Sequence, residues 1–260
     1  MYGRRVPRIT PGGKFTNLHS FDYRDGANPA AALVQAIDGY FYGTTYQGGA
    51  DPGDCTAGCG TVFKIAPQGT LTTLYIFEGP DGGDLTTALV QATDGNFYGT
   101  TYAGGVYSSK CSLGGCGTVF QITPAGTLTT LHYFDVTDGG NPGGLLQFTN
   151  GSFYGGTAAG GDPACNVDPN GCGTLFSLSG LGPFVTFVRG AGRVGQAFGI
   201  LGQGLTGTTS VLLNGTPASL TVVSDTFIKA KVPTGATTGY VTVTTPSGTL
   251  TSNVPFHVIP

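Results

Sequence analysis

Fifteen residues, Ala32-Leu33-Val34-Gln35-Ala36-Ile37-Asp38-Gly39-Tyr40-Phe41-Tyr42-Gly43-Thr44-Thr45-Tyr46, return nearly letter for letter from Ala88 to Tyr102 and more loosely from Gly144 to Thr157. Further on, Cys59-Gly60-Thr61-Val62-Phe63-Lys64-Ile65 returns as Cys116 to Ile122 and as Cys172 to Leu178, and Gly69 to Phe77 returns as Gly126 to Phe134. The copies start 56 residues apart, at Ala32, Ala88 and Gly144. Self-similarity at a fixed period means one supersecondary unit that buries its apolar face against its neighbours rather than around a core of its own.

Each copy reads as four short strands: Leu33–Ile37, Phe41–Tyr46, Thr61–Ala66 and Thr70–Phe77, called a to d. Their β-branched and aromatic content fits strands. Asp38-Gly39, Asp94-Gly95 and Asn150-Gly151 between a and b are hairpin signals, expected to place both central residues at positive φ. Pro67-Gln68-Gly69 and Pro124-Ala125-Gly126 make the c–d turns. Four antiparallel strands at this spacing predict propeller-like blades. The tight a–b and c–d turns then share one face, and the long b–c and d–a connections share the other. Residues Arg5 to Phe21 resemble strands c and d alone, so the array is expected to begin with a partial blade. The predicted repeat domain spans 1–180, with a partial blade over 1–31 and repeats near 32–87, 88–143 and 144–180.

The composition agrees. Gly makes up 47 of 260 residues and charged residues 10%, against a usual ~25% charged. Gly and Thr disfavour helices, while 39% apolar content is enough to form a core. Net charge is −3 with no recurring basic cluster, so no nucleic-acid footprint is present. No apolar run is long enough to span a membrane. Arg4-Arg5 precedes no apolar run, so a twin-arginine leader is not expected and the chain reads as a mature form or a piece of a longer protein.

The period stops after Gly180, and Gly180-Leu181-Gly182-Pro183 reads as a linker. Seven Val- and Thr-rich strands are expected from there on: Phe184–Val188, Ala197–Leu201, Ser210–Leu213, Leu220–Val223, Phe227–Val232, Gly239–Thr244 and Val254–Val258. With Asn214-Gly215 and Pro246-Ser247-Gly248 as turns, residues 181–260 are expected to form an immunoglobulin-like β-sandwich without the antibody cysteine pair. The fold class is therefore all-β, four-stranded propeller-like repeats followed by a sandwich.

Two resemblances cover nearly the whole chain. Asp94 to Thr101 together with Cys116 to Phe120 resembles the bacterial GloVer tandem repeat. Gly195-Gln196-Ala197-Phe198, Gly202-Gln203-Gly204-Leu205, Val211 to Gly215 and the ending Ser252-Asn253 with Phe256 and Val258 resembles the IPT/TIG immunoglobulin-like family. The first implies surface or secreted bacterial proteins and the second a spacer or contact module. Neither brings catalytic residues.

One cysteine pair falls in each b–c loop: Cys55 with Cys59, Cys111 with Cys116, Cys165 with Cys172. The drifting spacing suits disulfides that pin loops in an oxidising compartment better than free or redox-active thiols, and better than zinc, which favours tight, constant C-x₂₋₄-C pairs with four ligands. Asp25-Gly26, Asp81-Gly82 and Asp138-Gly139 recur at the d–a connection, followed by Asn28, Asp84 and Asn141. Plain turn chemistry explains them. Calcium is the minor alternative, because a Ca²⁺ shell takes about 6–8 oxygens, and no cofactor is expected.

His19 and His132 share a repeat position with Tyr75, which cannot act as a base, so a structural role is expected for all three. His257 has no partner in sequence. Gly190 to Gly195 has dinucleotide-motif spacing without a following helix and reads as a loop. Asn150-Gly151-Ser152 and Asn214-Gly215-Thr216 match glycosylation sequons but are explained as turns. Tyr42, Tyr46, Tyr98, Tyr102 and Tyr154 recur; packing between blades is the commoner use, and a ligand-facing aromatic surface is the alternative.

No nucleophile–base pair, carboxylate pair or phosphate loop breaks the repeat, so no catalytic residue is assigned. The sequence predicts a non-enzymatic extracellular or cell-surface binding or adhesion module with a protein or polysaccharide partner. The alternatives are a structural spacer and, behind it, a propeller carbohydrate-active enzyme. Incomplete blades at both ends leave strand edges that invite self-association.

Overall fold

The computed structural model describes residues 5–9, 12–49, 55, 57–107, 111, 114–165 and 171–260. It is all-β, with no α-helix among these residues. The chain divides into two compact units, one of residues 1–146 with 154–177 and another of 147–153 with 178–260.

The first unit holds one antiparallel sheet per repeat. A hairpin of β1 (Arg5–Ile9) and β2 (Phe15–Ser20) supplies the expected isolated c and d strands. The first full sheet runs β3 (Val34–Gln35), β4 (Phe41–Thr45), β5 (Thr61–Ile65), β6 (Leu71–Ile76) in that order. The second repeats it with β7 (Val90–Gln91), β8 (Phe97–Thr101), β9 (Thr118–Ile122) and β10 (Leu128–Tyr133). The third has three strands, β11 (Gly140–Gln147), β12 (Phe153–Ala159) and β13 (Leu175–Leu178). Its strand d is missing: Pro183-Phe184-Val185-Thr186-Phe187 stands where the other copies have Thr-Leu-Thr-Thr-Leu, and Thr186 and Phe187 pair in the other unit instead. Each sheet is open.

The a–b turns differ from the expected two-residue type. Ala36 receives the N–H of Gly39 and donates its own N–H to Tyr40, so the loop has three residues, and only Gly39 sits at positive φ (83°). Asp38 keeps negative φ, and its carboxylate is committed to the Tyr40 N–H at 3.0 Å and the Tyr42 hydroxyl at 2.7 Å. Three-residue hairpins of this kind take a type I turn followed by a left-handed residue.

Successive sheets pack face to face. Tyr42 of the first sheet stacks on Phe97 of the second, with ring centroids 4.0 Å apart. A column of edge-on pairs runs through the unit: Phe21–Phe63 at 5.2 Å, Phe77–Phe120 at 5.3 Å and Phe134–Phe176 at 5.1 Å. Such pairs contribute about 0.5–1.5 kcal/mol each beyond their burial. Period-2 alternation explains the arrangement. Tyr42 points forward from its strand, and Phe97, one position earlier in the next copy, points back.

Polar contacts fix the register. The hydroxyls of Thr45 and Thr61 meet at 2.9 Å, as do Thr101 with Thr118 at 2.9 Å and Thr157 with Thr174 at 3.0 Å. The second threonine of each pair donates to the carbonyl of Asp25, Asp81 or Asp138 in the preceding d–a connection. Gly26 has to be glycine there, since a Cβ would lie 2.6 Å from the Thr45 methyl.

In the second unit β14 (Thr186–Phe187) is followed by β15 (Ala191–Arg193), β16 (Ala197–Leu201), β17 (Ser210–Leu213), β18 (Thr216–Pro217), β19 (Leu220–Ser224), β20 (Phe227–Lys231), β21 (Val241–Thr245), β22 (Gly248–Thr251) and β23 (His257–Ile259). Two four-stranded sheets, β14-β16-β20-β19 and β18-β17-β21-β22, share one core that includes Phe198, Ile200, Ile228, Val211, Leu213, Val241 and Val243. Alternate residues of β16, β17, β20 and β21 enter it. Within Gly190 to Gly195, Ala191–Arg193 is a strand, paired in parallel with β23, rather than the expected loop. Thr186 and Phe187 pair with Leu201 and Ile200, so this segment serves the second unit, as expected. Within the same unit the Thr149 carbonyl accepts the Phe184 N–H at 3.0 Å.

Candidate functional site

The b–c loops are where the repeats stop being alike, and each is pinned by a disulfide. Cys55–Cys59, Cys111–Cys116 and Cys165–Cys172 are bonded, with Cα atoms 5.3, 5.0 and 5.8 Å apart. For the four-residue spacing, loop-closure entropy gives about 2 kcal/mol. The second cysteine of a pair also anchors the next repeat. Cys59 and Cys116 are fully buried, and their carbonyls accept the N–H of Asp84 at 3.0 Å and of Asn141 at 2.8 Å.

Between the first two b–c loops lies a cleft of about 560 Å³. Tyr46, Gln47, Cys55, Asp84, Ala103 and Tyr107 line it, with glycine backbone between them. Tyr107 is 77% exposed at its rim, and Tyr46 is half-buried.

Asp84 is the distinctive residue. It occupies the left-handed region at φ 57°, as Asn28 and Asn141 do at 55°. Asparagine tolerates this conformation well, and the two asparagines use their amides locally. Asn28 donates to Gln47 Oε1 at 2.6 Å, and Asn141 to the Tyr102 carbonyl at 2.9 Å. Asp84 has no amide to donate. It accepts a hydrogen bond from the Tyr46 hydroxyl, and burial pushes its carboxyl pKa up. Burial, followed by the nearby Asp84 charge, pushes the Tyr46 hydroxyl up. A half-buried carboxylate in a cleft that tyrosines also line can accept hydrogen bonds from hydroxyls or pair with a cation, while the rings offer stacking faces.

The remaining sequence candidates fall into three places. Tyr42 is fully buried and Tyr98 is 5% exposed; both are packed between sheets, with hydroxyls donating to Asp38 and Asp94. Burial, then Asp94, pushes Tyr98 up to about 12. Tyr102 is half-buried, and Tyr154 is 42% exposed on the third sheet. Tyr46 alone of the five lines the cleft. Tyr107 is not among the sequence candidates, because it has no counterpart in the other copies. Asp84 is visible in the sequence only as a possible oxygen ligand; the column Asn28, Asp84, Asn141, read for charge, singles it out.

The His/Tyr position is explained by its partner. His19, Tyr75 and His132 hydrogen-bond Asp25, Asp81 and Asp138 at 2.6, 2.6 and 2.7 Å. The other oxygen of each of these aspartates accepts a backbone N–H, from Asp22, Glu78 or Asp135. Tyrosine replaces histidine here because the position needs a hydrogen-bonding partner for a carboxylate. With both oxygens so engaged, these aspartates are turn-closing groups. Among the described residues no three His, Cys, Asp or Glu side chains cluster as metal ligands do.

The model of the Gloeobacter/Verrucomicrobia repeat matches residues 5–176 and, in a second overlapping match, residues 56–208. No curated protein matches the chain. Among solved structures, an auxiliary nutrient binding protein from Bacteroides ovatus is 19% identical over 28% of this chain and 20% of its own, with a TM-score of 0.27. A fungal alcohol oxidase of the AA5 family, in complex with copper, is 17% identical over 95% of this chain and 57% of its own, with a TM-score of 0.47. The chain thus spans a fifth and somewhat over half of the length of these two proteins.

Proposed function

The chain belongs to the Gloeobacter/Verrucomicrobia repeat family, and from that membership we propose that it is a non-catalytic binding module of the cell surface or extracellular space. Its repeat sheets are read as propeller-like blades, and residues 181–260 as an IPT/TIG-type sandwich that spaces or presents them. The partner is a polysaccharide or a protein, taken up on the face that carries the b–c loops. One observation carries the reading: the cleft between two disulfide-pinned loops, holding a half-buried carboxylate where the flanking repeats have asparagine. Ligand sites are concave, with a few convergent polar groups, and lie on loops held by a rigid scaffold. A residue kept only for the turn would be asparagine, as at Asn28 and Asn141. The three disulfides support export, since such bonds persist in oxidising compartments.

Immobilised glycans probed with the oxidised chain test this. Binding to a defined set of sugars is expected, lost on Asp84→Asn and on Tyr107→Ala. Binding unchanged by both substitutions would move the site elsewhere. Silence of the wild type against glycans and surface-protein extracts alike would favour the second reading, a spacer, which the regular stacking of the sheets also suits.

A further inference from the structure

Three side chains that line the cleft are ones the other copies of the repeat do not have. Asp84 takes the place of Asn28 and Asn141, and Tyr107 stands where the flanking copies have Asp51 and Pro163. Gln47 takes the place of Ala103 and Ala159, which are both buried. Departures from the repeat thus gather at one concave place within the first unit. A long polar side chain at an alanine position has no part in the fold that the other copies share.

Gln47 is held so that its donor remains. Its backbone N–H and carbonyl pair with Ala27 at 3.1 and 2.6 Å, and its Oε1 accepts from the Asn28 amide at 2.6 Å. Its Nε2 has no acceptor among the described residues. Asp84 offers the opposite chemistry, a carboxylate that accepts from the Tyr46 hydroxyl and has acceptor capacity left. No Lys, Arg or His among the described residues lines the cleft. An anionic ligand would therefore bring a like charge to Asp84 with nothing to offset it, and a cation would meet the Gln47 donor. A neutral sugar suits all three groups. One hydroxyl donates, its neighbour accepts, and the C–H face of the ring packs on the exposed Tyr107. The volume of about 560 Å³ is that of a small-ligand pocket, ~300–1,000 Å³, whereas a protein partner spreads over roughly 800 Å² a side.

We propose that the cleft binds a neutral pyranose through two adjacent hydroxyls, one donating to the Asp84 carboxylate and the other accepting from Gln47 Nε2, with Tyr107 against the ring face. The assignment rests on the cleft being the ligand site, and it adds to that reading a class of sugar and a residue, Gln47, that selects it.

An array of neutral, amino, uronic and sulfated glycans, probed with the oxidised chain, tests it. The wild type should bind neutral glycans and pass over the uronic and sulfated ones. Gln47→Ala, the residue of the other copies, should weaken neutral binding at least about tenfold. Gln47→Glu keeps the oxygen that Asn28 binds and replaces the donor by a second carboxylate oxygen, so amino sugars should gain on neutral ones by a similar factor. Should the alanine variant melt early, the glutamate variant decides, because it retains the Asn28 bond. Selection of acidic or amino sugars by the wild type would overturn the proposal and leave the cleft as the site. So would neutral binding that both Gln47 variants leave unchanged while Asp84→Asn abolishes it. Neutral binding untouched by the Gln47 variants, Asp84→Asn and Tyr107→Ala alike would remove the cleft as well. An array on which no glycan is bound would overturn the proposal and leave the cleft to a protein partner.

Discussion

The second and third sheets are close in sequence and unlike in setting. Tyr98 and Tyr154 occupy the same position shortly after an Asp-Gly or Asn-Gly turn, yet Tyr98 is 5% exposed and Tyr154 42%. The local sequence makes the strand, and the neighbouring sheet makes the core. In a stack of this kind stability is a sum of nearest-neighbour terms. The effect of a substitution therefore depends on what lies in front of its sheet and what lies behind it.

The largest expected effect tests that dependence. Phe120→Ala removes a fully buried ring from the interface between the first two sheets, and should lower stability by about 3–5 kcal/mol in chemical denaturation. Leu175→Ala, at an exposed side chain of the third sheet, should change it by under about 0.5 kcal/mol. Equal losses would remove the distinction between covered and uncovered faces. Next in size are the loop staples. Replacing Cys55 and Cys59 together by serine should cost about 2 kcal/mol and, since the Cys59 carbonyl holds Asp84, loosen the cleft. A loss seen only in stability, with ligand binding intact, would detach the disulfide from the site.

Smaller again is the His/Tyr position. Tyr75→His should be nearly neutral, whereas Tyr75→Phe strands the Asp81 carboxylate and should cost about 1 kcal/mol. If both substitutions cost the same, the hydrogen bond at 2.6 Å is not what the position selects. The smallest effect has the opposite sign. Burial raises the Asp84 pKa in the folded state, so the folded chain binds its proton more tightly than the unfolded one. The charged form is therefore a penalty, fully present above the folded pKa and absent below the unfolded one. Asp84→Asn should stabilise by up to about 1 kcal/mol at neutral pH, with the gain shrinking as the pH falls into the acidic range. A gain independent of pH would assign it to asparagine's preference for positive φ instead.

Much of this architecture can be read from the sequence, because a repeat prints its own alignment. The strand order, the opening half-unit, the missing fourth strand of the third sheet and the pairing of all six cysteines follow from comparing copies. The a–b turn escapes such a comparison, because Asp38-Gly39 alone does not reveal that Ile37 joins the loop and that the Asp38 side chain is held by Tyr40 and Tyr42. The sequence predicts strand a over Leu33–Ile37, but it pairs only at Val34–Gln35 in the first sheet, since the three-residue loop takes up its end. In the second unit, Ala197–Leu201 and Ser210–Leu213 are legible from alternation. Ala191–Arg193 is not, because a glycine-rich strand with a parallel partner far along the chain gives no local pattern. The cleft is the least legible feature. Tyr107 lies in a stretch that does not repeat, and Asp84 differs from asparagine by a charge whose meaning depends on burial.

Hydroxyl-radical footprinting of the tyrosines at submicromolar concentration tests the stacked-sheet account most directly. Labelling should be fastest at Tyr107, next at Tyr154, and nearly absent at Tyr98 and Tyr42, following exposures of 77%, 42%, 5% and 0%. Tyr42 or Tyr98 labelled as fast as Tyr154 would mean that the first two sheets are not covered by their successors, and the account would fail.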